Sequence, residues 1–352
     1  MELSKLQTEI INAPYNKIVV NSAAASGKTA LLTEKVRQIL RANVNPREIA
    51  VITFTNMAAG ELKYRLGNDY KEGLFIGTIH SLANQMLVRG GVSTSKILED
   101  EKFDKLFPLI KKNPQCVWSI EWLLLDEAQD SDSKQFEFMF DMIKPRCFFA
   151  VGDLRQCIYR WNGSNPRLLR DLSRQPEVHT FSMNENYRNG SNILSYAKRF
   201  LRRISQSDDS VTKRIGGQVR ECIYSPQAII KFIAFDPHYK DWAILTRKND
   251  QISEIIPYLE KANIPYKTFK QGELDREQLQ NLMKSDTVKL LTIHSAKGLE
   301  WPNVIMVGAL QKTYEDEEFN IAYVGATRAR DNLIVMSIPN KKRRTYNEFN
   351  FE

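Results

Sequence analysis

The chain of 352 residues is poor in the features that would mark a secreted, membrane or fibrous protein. Its four cysteines, Cys116, Cys147, Cys157 and Cys222, form no CxxC pair and have no histidine cluster beside them, so neither a disulfide framework nor a zinc site is indicated. Reduced, structural thiols are expected. No stretch approaches the roughly 18 to 20 apolar residues of a membrane span, and Met1–Lys5 leads into no apolar signal segment, so a cytoplasmic protein without a membrane partner is expected. No repeat unit of roughly 20 to 50 residues is visible. With 16 glycines, 13 prolines, 42% hydrophobic and 26% charged residues, the composition excludes collagen-like and disordered classes. Charge of one sign does not dominate: 50 Lys and Arg against 42 Asp and Glu leave +8. That modest excess suits a polyanionic partner but does not identify one.

What is present is an alternation of short Val/Ile/Leu runs with longer segments of helical spacing, the pattern of a parallel sheet covered by helices. The fold class is therefore α/β, and the length fits two domains at roughly 100–200 residues each. Strands are expected at 17–21, 49–53, 74–78, 122–126, 147–151 and 178–182, with helices beginning near Lys28, Met57, Ile79 and Ser133. The second half gives strands at 242–247, 266–269, 288–293, 304–307 and 333–337, and helices at 191–204, 251–262 and 319–330. The strand series restarts between Ser182 and Ser191, which places one lobe over 1–184 and a second over 185–340. Residues 206–210 and the charged stretch 270–284 read as exposed loops, and 341–352 as a basic tail.

Ser22-Ala23-Ala24-Ala25-Ser26-Gly27-Lys28-Thr29 follows the first strand and opens a helix, the context of a phosphate-binding P-loop. Backbone amides at the helix start would cradle phosphate oxygens of ATP, Lys28 would reach the β- and γ-phosphates, and the Thr29 hydroxyl would bind Mg²⁺. Ser22 stands where the general pattern has a glycine, and alanines fill the loop. Small side chains permit the turn, since only some of its positions require φ > 0. A second element supports this assignment. Leu123-Leu124-Leu125 ends in Asp126 and Glu127, one carboxylate for the metal shell and one to position or deprotonate an attacking water. An Asp-Glu pair after a strand is by itself an ordinary turn; beside a P-loop it becomes chemistry.

Asp126-Glu127-Ala128-Gln129-Asp130, followed by Val151-Gly152-Asp153-Leu154-Arg155-Gln156-Cys157-Ile158-Tyr159-Arg160-Trp161, resembles superfamily 1 helicases of the UvrD/Rep type. The resemblance runs from about residue 3 to about 336. It takes in Thr53-Phe54-Thr55-Asn56, Gly77-Thr78-Ile79-His80-Ser81, Asn186-Tyr187-Arg188, Ala243–Arg247, Thr292–Trp301 and Ala322–Ala329, in the family's order.

The resemblance implies two tandem RecA-like lobes with ATP in the cleft between them. It also implies an ATP- and Mg²⁺-dependent motor that moves 3′ to 5′ on single-stranded DNA and separates strands of tailed duplexes. By the same resemblance Gln7 reads adenine, Tyr187 stacks on it, and Glu300 lies near the ribose and γ-phosphate. Gln156, Arg188 and Arg328 converge on the γ-phosphate, with Lys28 and Glu127 completing the catalytic set. Phe54, Tyr159 and Trp161 match positions where bases stack. Thr55, Asn56, Thr78, His80, Thr292 and His294 match contacts to the nucleic-acid backbone. Discrimination from RNA would rest on contacts to the 2′-hydroxyl.

Three departures stand out against that pattern. Asn162 follows Trp161 where relatives often carry Arg, and Phe319-Asn320 replaces a basic pair. Only about forty residues, 82–121, separate the Thr-Ile-His motif from the acidic motif, and about twenty, 267–287, occupy the corresponding place in the second lobe. Whole subdomains are inserted at both places in larger relatives, so a two-lobe motor is expected here, with a short helical insertion in the first lobe. The trimming admits a second expectation, a motor subunit working with a nuclease or with a replication or repair partner. A third, a non-catalytic ATP-gated binding module, has the Ala-rich loop and Asn162 as its support. A monomer suffices for any of them.

Overall fold

The computed structural model describes residues 3–236, 238–270, 273–309 and 316–338; the expected basic tail 341–352 lies outside them. The described residues separate into two compact units, the first ending at Met183 and the second beginning at Asn184.

The first unit is built on six parallel strands. These are β1 (Lys17–Ser22), β2 (Ile49–Ile52), β3 (Phe75–Gly77), β4 (Trp122–Leu125), β5 (Cys147–Gly152) and β6 (His179–Met183), in the order β3-β2-β4-β5-β1-β6. Around them lie α1 (Lys5–Asn12), α2 (Lys28–Arg41), α3 (Asn56–Leu66), α4 (Ile79–Arg89), α5 (Ser95–Glu99), α6 (Leu106–Lys112), α7 (Ser133–Glu137) and α8 (Pro166–Leu172). Both faces of the sheet are covered, and period-2 alternation sorts the side chains between two cores. Ala50, Ile52, Leu123, Leu125, Phe148 and Ala150 face Leu82, Met86, Phe107 and Ile110 of α4 and α6. Ile49, Val51, Leu124, Phe149 and Val151 face Ile10, Leu31, Leu32, Val36 and Leu62 of α1, α2 and α3. Helix starts are fixed by side chains that satisfy free amides: a reciprocal Ser4/Gln7 box on α1, Thr55 on α3 and Thr78 on α4. The expected insertion 82–121 holds the rest of α4 and all of α5 and α6.

The second unit opens with a two-stranded parallel ladder, β7 (Glu185–Asn186) with β8 (Val211–Thr212). Its main sheet comprises β9 (Gln218–Ile223), β10 (Trp242–Thr246), β11 (Tyr266–Lys267), β12 (Val288–Thr292), β13 (Trp301–Val307) and β14 (Ala329–Ser337). All pairings are parallel, in the order β11-β12-β10-β13-β14-β9. The helices are α9 (Ser191–Arg202), α10 (Pro226–Ala234), α11 (Asn249–Lys261), α12 (Arg276–Lys284) and α13 (Asp316–Ala326).

Among the elements of the second unit that differ from the sequence expectations are β9, α10 and α12, and the helix expected at 319–330 ends at Ala326, before β14 begins. Strand β9 has no apolar run because it is a sheet edge, with four of its six residues exposed. Helix α10 follows it, capped by Ser225 with Pro226 in its first turn. The stretch expected as a loop at 270–284 contains α12, started by an Asp275/Gln278 capping box; none of its residues is buried, so the apolar periodicity that announces a helix is weak. Residues 206–210 are irregular as expected but anchored: Tyr323 Oη donates to Asp208 at 3.0 Å, and Ser210 is buried.

Candidate functional site

In the first unit the chemistry-bearing residues gather at the carboxyl ends of the parallel strands, where ligands of open α/β sheets bind. Ser22 closes β1, Asp126 follows β4, Asp153 follows β5, and Thr53 and Thr78 follow β2 and β3. Ser22 is fully buried and donates through Oγ to the Gly152 carbonyl at 3.0 Å, joining β1 to β5 where the general pattern has only a glycine. The loop then turns through two left-handed residues, Ala25 at φ 57° and Gly27 at φ 85°. The second suits glycine; the first places an alanine in a conformation that costs L-residues about 1–2 kcal/mol.

Gly27 starts α2 without any side-chain cap, which leaves the first-turn amides to a ligand. The Ser26 hydroxyl is buried with no hydrogen-bond partner in the protein. An unsatisfied buried donor beside uncapped amides fits an anionic phosphate. Lys28 Nζ lies 3.2 Å from Glu127 Oε1, with the two side chains 10% and 22% exposed. Asp126 Oδ1 accepts the Glu127 amide at 3.0 Å, and Glu127 takes a left-handed φ of 49°. Among the described residues no group of three or more His, Cys, Asp or Glu could hold a metal. Thr29, in the first turn of α2, and Asp126, just after β4, offer a hydroxyl and a carboxylate, hard oxygen donors of the kind that Mg²⁺ takes.

A hydrogen-bonded chain leads from Glu127 to Gln156. Gln129 Nε2 donates to Glu127 Oε2 (2.5 Å), the Asp153 amide donates to Gln129 Oε1 (2.9 Å), and Gln156 Nε2 donates to Asp153 Oδ2 (2.7 Å). Lys28, Glu127 and Gln156, named from sequence, are thus joined through Gln129 and Asp153, which the sequence places in the same motifs without a role. Gln7 is buried, and its carboxamide accepts from the Ser4 amide (2.9 Å) and donates to the Ser26 carbonyl (3.1 Å). It buttresses the P-loop with the two groups that would otherwise read a base.

The residues of the first unit expected to meet nucleic acid follow β2, β3 and β5, on the loops and in the first turns of α3 and α4. Phe54 stacks on Tyr159 with centroids 4.7 Å apart, and Trp161 stands 6.5 Å from Tyr159. Tyr159 is buried, whereas Trp161 is 71% exposed. Asn56 is exposed at the start of α3. The hydroxyls of Thr55 and Thr78 accept the Ala58 and Ser81 amides as caps. The His80 ring sits between Phe103 and Phe107, 3.7 Å from Asp104, and burial holds its pKa below the ordinary histidine value.

In the second unit the residues expected to meet the nucleotide include Glu300 and Arg328, just before β13 and β14. Arg188 pairs with Glu300 and donates through Nη1 to the Thr327 carbonyl at 3.2 Å. Asn186 and Asn189 brace this turn: Asn186 Oδ1 accepts the amides of Arg188 (3.0 Å) and Asn189 (2.8 Å), and Asn189 Nδ2 donates to the Thr327 carbonyl (3.1 Å). Arg328 is 2% exposed and donates to the carbonyls of Val324 (2.9 Å) and Leu299 (3.3 Å). Tyr187 is half exposed, with its hydroxyl on Glu185. Thr292 and His294 lie at the opposite, carboxyl end of β12, and the Thr292 hydroxyl accepts the Ser295 amide at 3.2 Å.

Two six-stranded parallel units, the first with a P-loop opposite an Asp-Glu strand end, define a P-loop nucleoside-triphosphatase fold of two RecA-like lobes. The UvrD/REP helicase N-terminal domain matches residues 3–118 and 113–177, and the UvrD-like helicase C-terminal domain matches 181–284 and 270–340. The chain belongs to the UvrD/Rep family of DNA helicases. It is 24% identical to a probable DNA helicase of Mycoplasma pneumoniae, covering 98% of this chain and 85% of the relative. It is 24% identical to the ATP-dependent DNA helicase Rep of Escherichia coli, covering 76% and 55%, and to the Gabija protein GajB of Bacillus cereus, covering 94% of each. The chain thus spans only about half of Rep but nearly all of GajB. Among the described residues no helix is long and apolar enough to cross a membrane.

Proposed function

We propose that this protein is an ATP-dependent motor that moves 3′ to 5′ along single-stranded DNA and separates the strands of tailed duplexes. The observation that carries the reading is the 3.2 Å pairing of Lys28 with Glu127, continued through Gln129 and Asp153 to Gln156. The α2 amides and Lys28 hold the phosphates, and Glu127 orients and deprotonates the attacking water. Thr29 and Asp126 would hold Mg²⁺, which would supply positive charge against the phosphates. By the same reading Arg188 and Arg328 neutralise charge in the transition state, and Tyr187 offers its exposed ring to the base. Phe54, Tyr159 and Trp161 provide stacking surfaces that tolerate any base sequence, and the motif hydroxyls, Asn56, His80 and His294 meet the backbone. The same reading has the chain act as a monomer.

A second reading makes the same motor a subunit of a larger assembly with a nuclease. The short segments at 82–121 and 267–287, which hold only small helices, favour it. Displacement of a bound end-block from single strands of either polarity separates the possibilities. Clearance of the 3′→5′ direction alone, lost in Lys28→Ala, is expected; 5′→3′ clearance contradicts the proposed polarity. Solo unwinding of a long duplex argues against the subunit reading.

A further inference from the structure

Gln129 is fully buried, and every polar atom of its side chain serves the catalytic strand ends. Its Nε2 donates to Glu127 Oε2 at 2.5 Å, and its Oε1 accepts the Asp153 amide at 2.9 Å. The second bond fixes which end of the carboxamide faces Glu127, because only Oε1 can accept from an N–H. The frame behind it is rigid. Asp153 is itself buried and held by Arg155 Nε (2.7 Å) and Gln156 Nε2 (2.7 Å), while Cys157 Sγ donates to the Gln129 carbonyl at 3.7 Å. Gly152 makes the space, since a Cβ there would stand 2.7 Å from Gln129 Oε1.

Glu127 needs such a support. It sits on a turn with a left-handed φ of 49°, and its carboxylate accepts from the side chains of Lys28 and Gln129. Phosphates compete for the Lys28 ammonium on its flexible stem. The Gln129 amide is fixed to a neighbouring strand end and carries no charge to compete for. We propose that Gln129 is the positioning residue of the hydrolytic site: it clamps one oxygen of Glu127 and leaves the other aimed at the attacking water. This role rests on the reading of Glu127 as the water-activating base. A leucine offers neither bond, and a glutamate keeps the acceptor for Asp153 but replaces the donor with a second carboxylate against Glu127.

The test is steady-state ATP hydrolysis with single-stranded DNA by wild type, Gln129→Leu, Gln129→Glu, Glu127→Gln and the double variant Glu127→Gln/Gln129→Leu. Melting temperature and affinity for a fluorescent non-hydrolysable ATP analogue are measured alongside. A positioning role predicts that each Gln129 variant loses at least about tenfold in kcat, with KM and analogue affinity held within about twofold. It also predicts that the double variant is no slower than Glu127→Gln alone, because the two side chains act as one unit. Should the leucine variant fail to fold, Gln129→Glu decides. A folded Gln129 variant with kcat within about twofold of wild type, or a double variant whose losses multiply, overturns the role. Wild type that hydrolyses no ATP overturns the Glu127 reading, and this role with it.

Discussion

Lys28 Nζ and Glu127 Oε1, ninety-nine positions apart in the chain, stand 3.2 Å apart at the ends of two parallel strands. Strands β1 and β4 are separated in the sheet only by β5, so a strand-helix connection and an acidic strand end, each ordinary alone, are delivered to one point. Consequences of that convergence can be measured.

Replacing Glu127 with glutamine keeps the side chain's shape and removes its capacity to take a proton. Hydrolysis should fall by roughly 10²–10⁴-fold, the usual worth of a positioned base. ATP and single-stranded DNA affinity should be retained. Filter binding beside phosphate release checks both, and unchanged turnover would remove Glu127 from the chemistry.

The P-loop carries strain at one position and tolerance at the next. Ala25→Gly relieves the left-handed φ of 57° and should stabilise the protein by about 1 kcal/mol. Gly27→Ala should do the reverse, because φ is 85° and the new Cβ would lie 2.7 Å from Gln7 Nε2. Thermal melting of the two variants should therefore move in opposite directions.

Trp161 and Tyr159 separate binding from packing. Trp161→Ala should leave the melting temperature nearly unchanged and weaken single-stranded DNA binding by about 1–3 kcal/mol. Tyr159, only 4% exposed and stacked on Phe54, should lose stability as well as affinity when truncated. Equal loss of melting temperature in both variants would contradict the assignment of Trp161 to a base.

Lys35 is buried in the first core, donating to the Ile11 carbonyl (3.0 Å) and Gln38 Oε1 (2.8 Å), with its ammonium over Trp122 and Phe149. Burial lowers its pKa to about 8, and Cys147 is the neighbouring titratable group. The unfolded lysine keeps its proton up to its ordinary value, so between these limits the unfolded state binds more protons and folding gains as pH rises. Relative to Lys35→Met, wild type should gain roughly 1–3 kcal/mol between pH 7 and 10.5. Denaturant unfolding of the pair at the two pH values checks the sign; a constant difference contradicts it.

The sequence made the strands of the first unit and the starts of α2 and α4 legible, because buried parallel strands read as unbroken apolar runs and the following loops carry the motifs. Strand β9 and helix α12 were not, since an exposed edge strand and an unburied helix leave little apolar periodicity. The same limit applies at the site. Lys28, Asp126 and Glu127 stand out by type and spacing, whereas the engagement of Gln7 with Ser4 and Ser26, the burial of Arg328 and the bridging place of Gln129 are set by contacts between distant segments. No spacing rule announces them.

On the proposed reading, these strand ends form an ATP-hydrolysing motor site that responds to nucleic acid. The most direct measurement is phosphate release from Mg²⁺-ATP by the purified chain, alone and with matched single-stranded DNA or RNA, beside Lys28→Ala. Strong stimulation by DNA that disappears in Lys28→Ala is the predicted result. Turnover unchanged by DNA, or surviving the loss of Lys28, would contradict it.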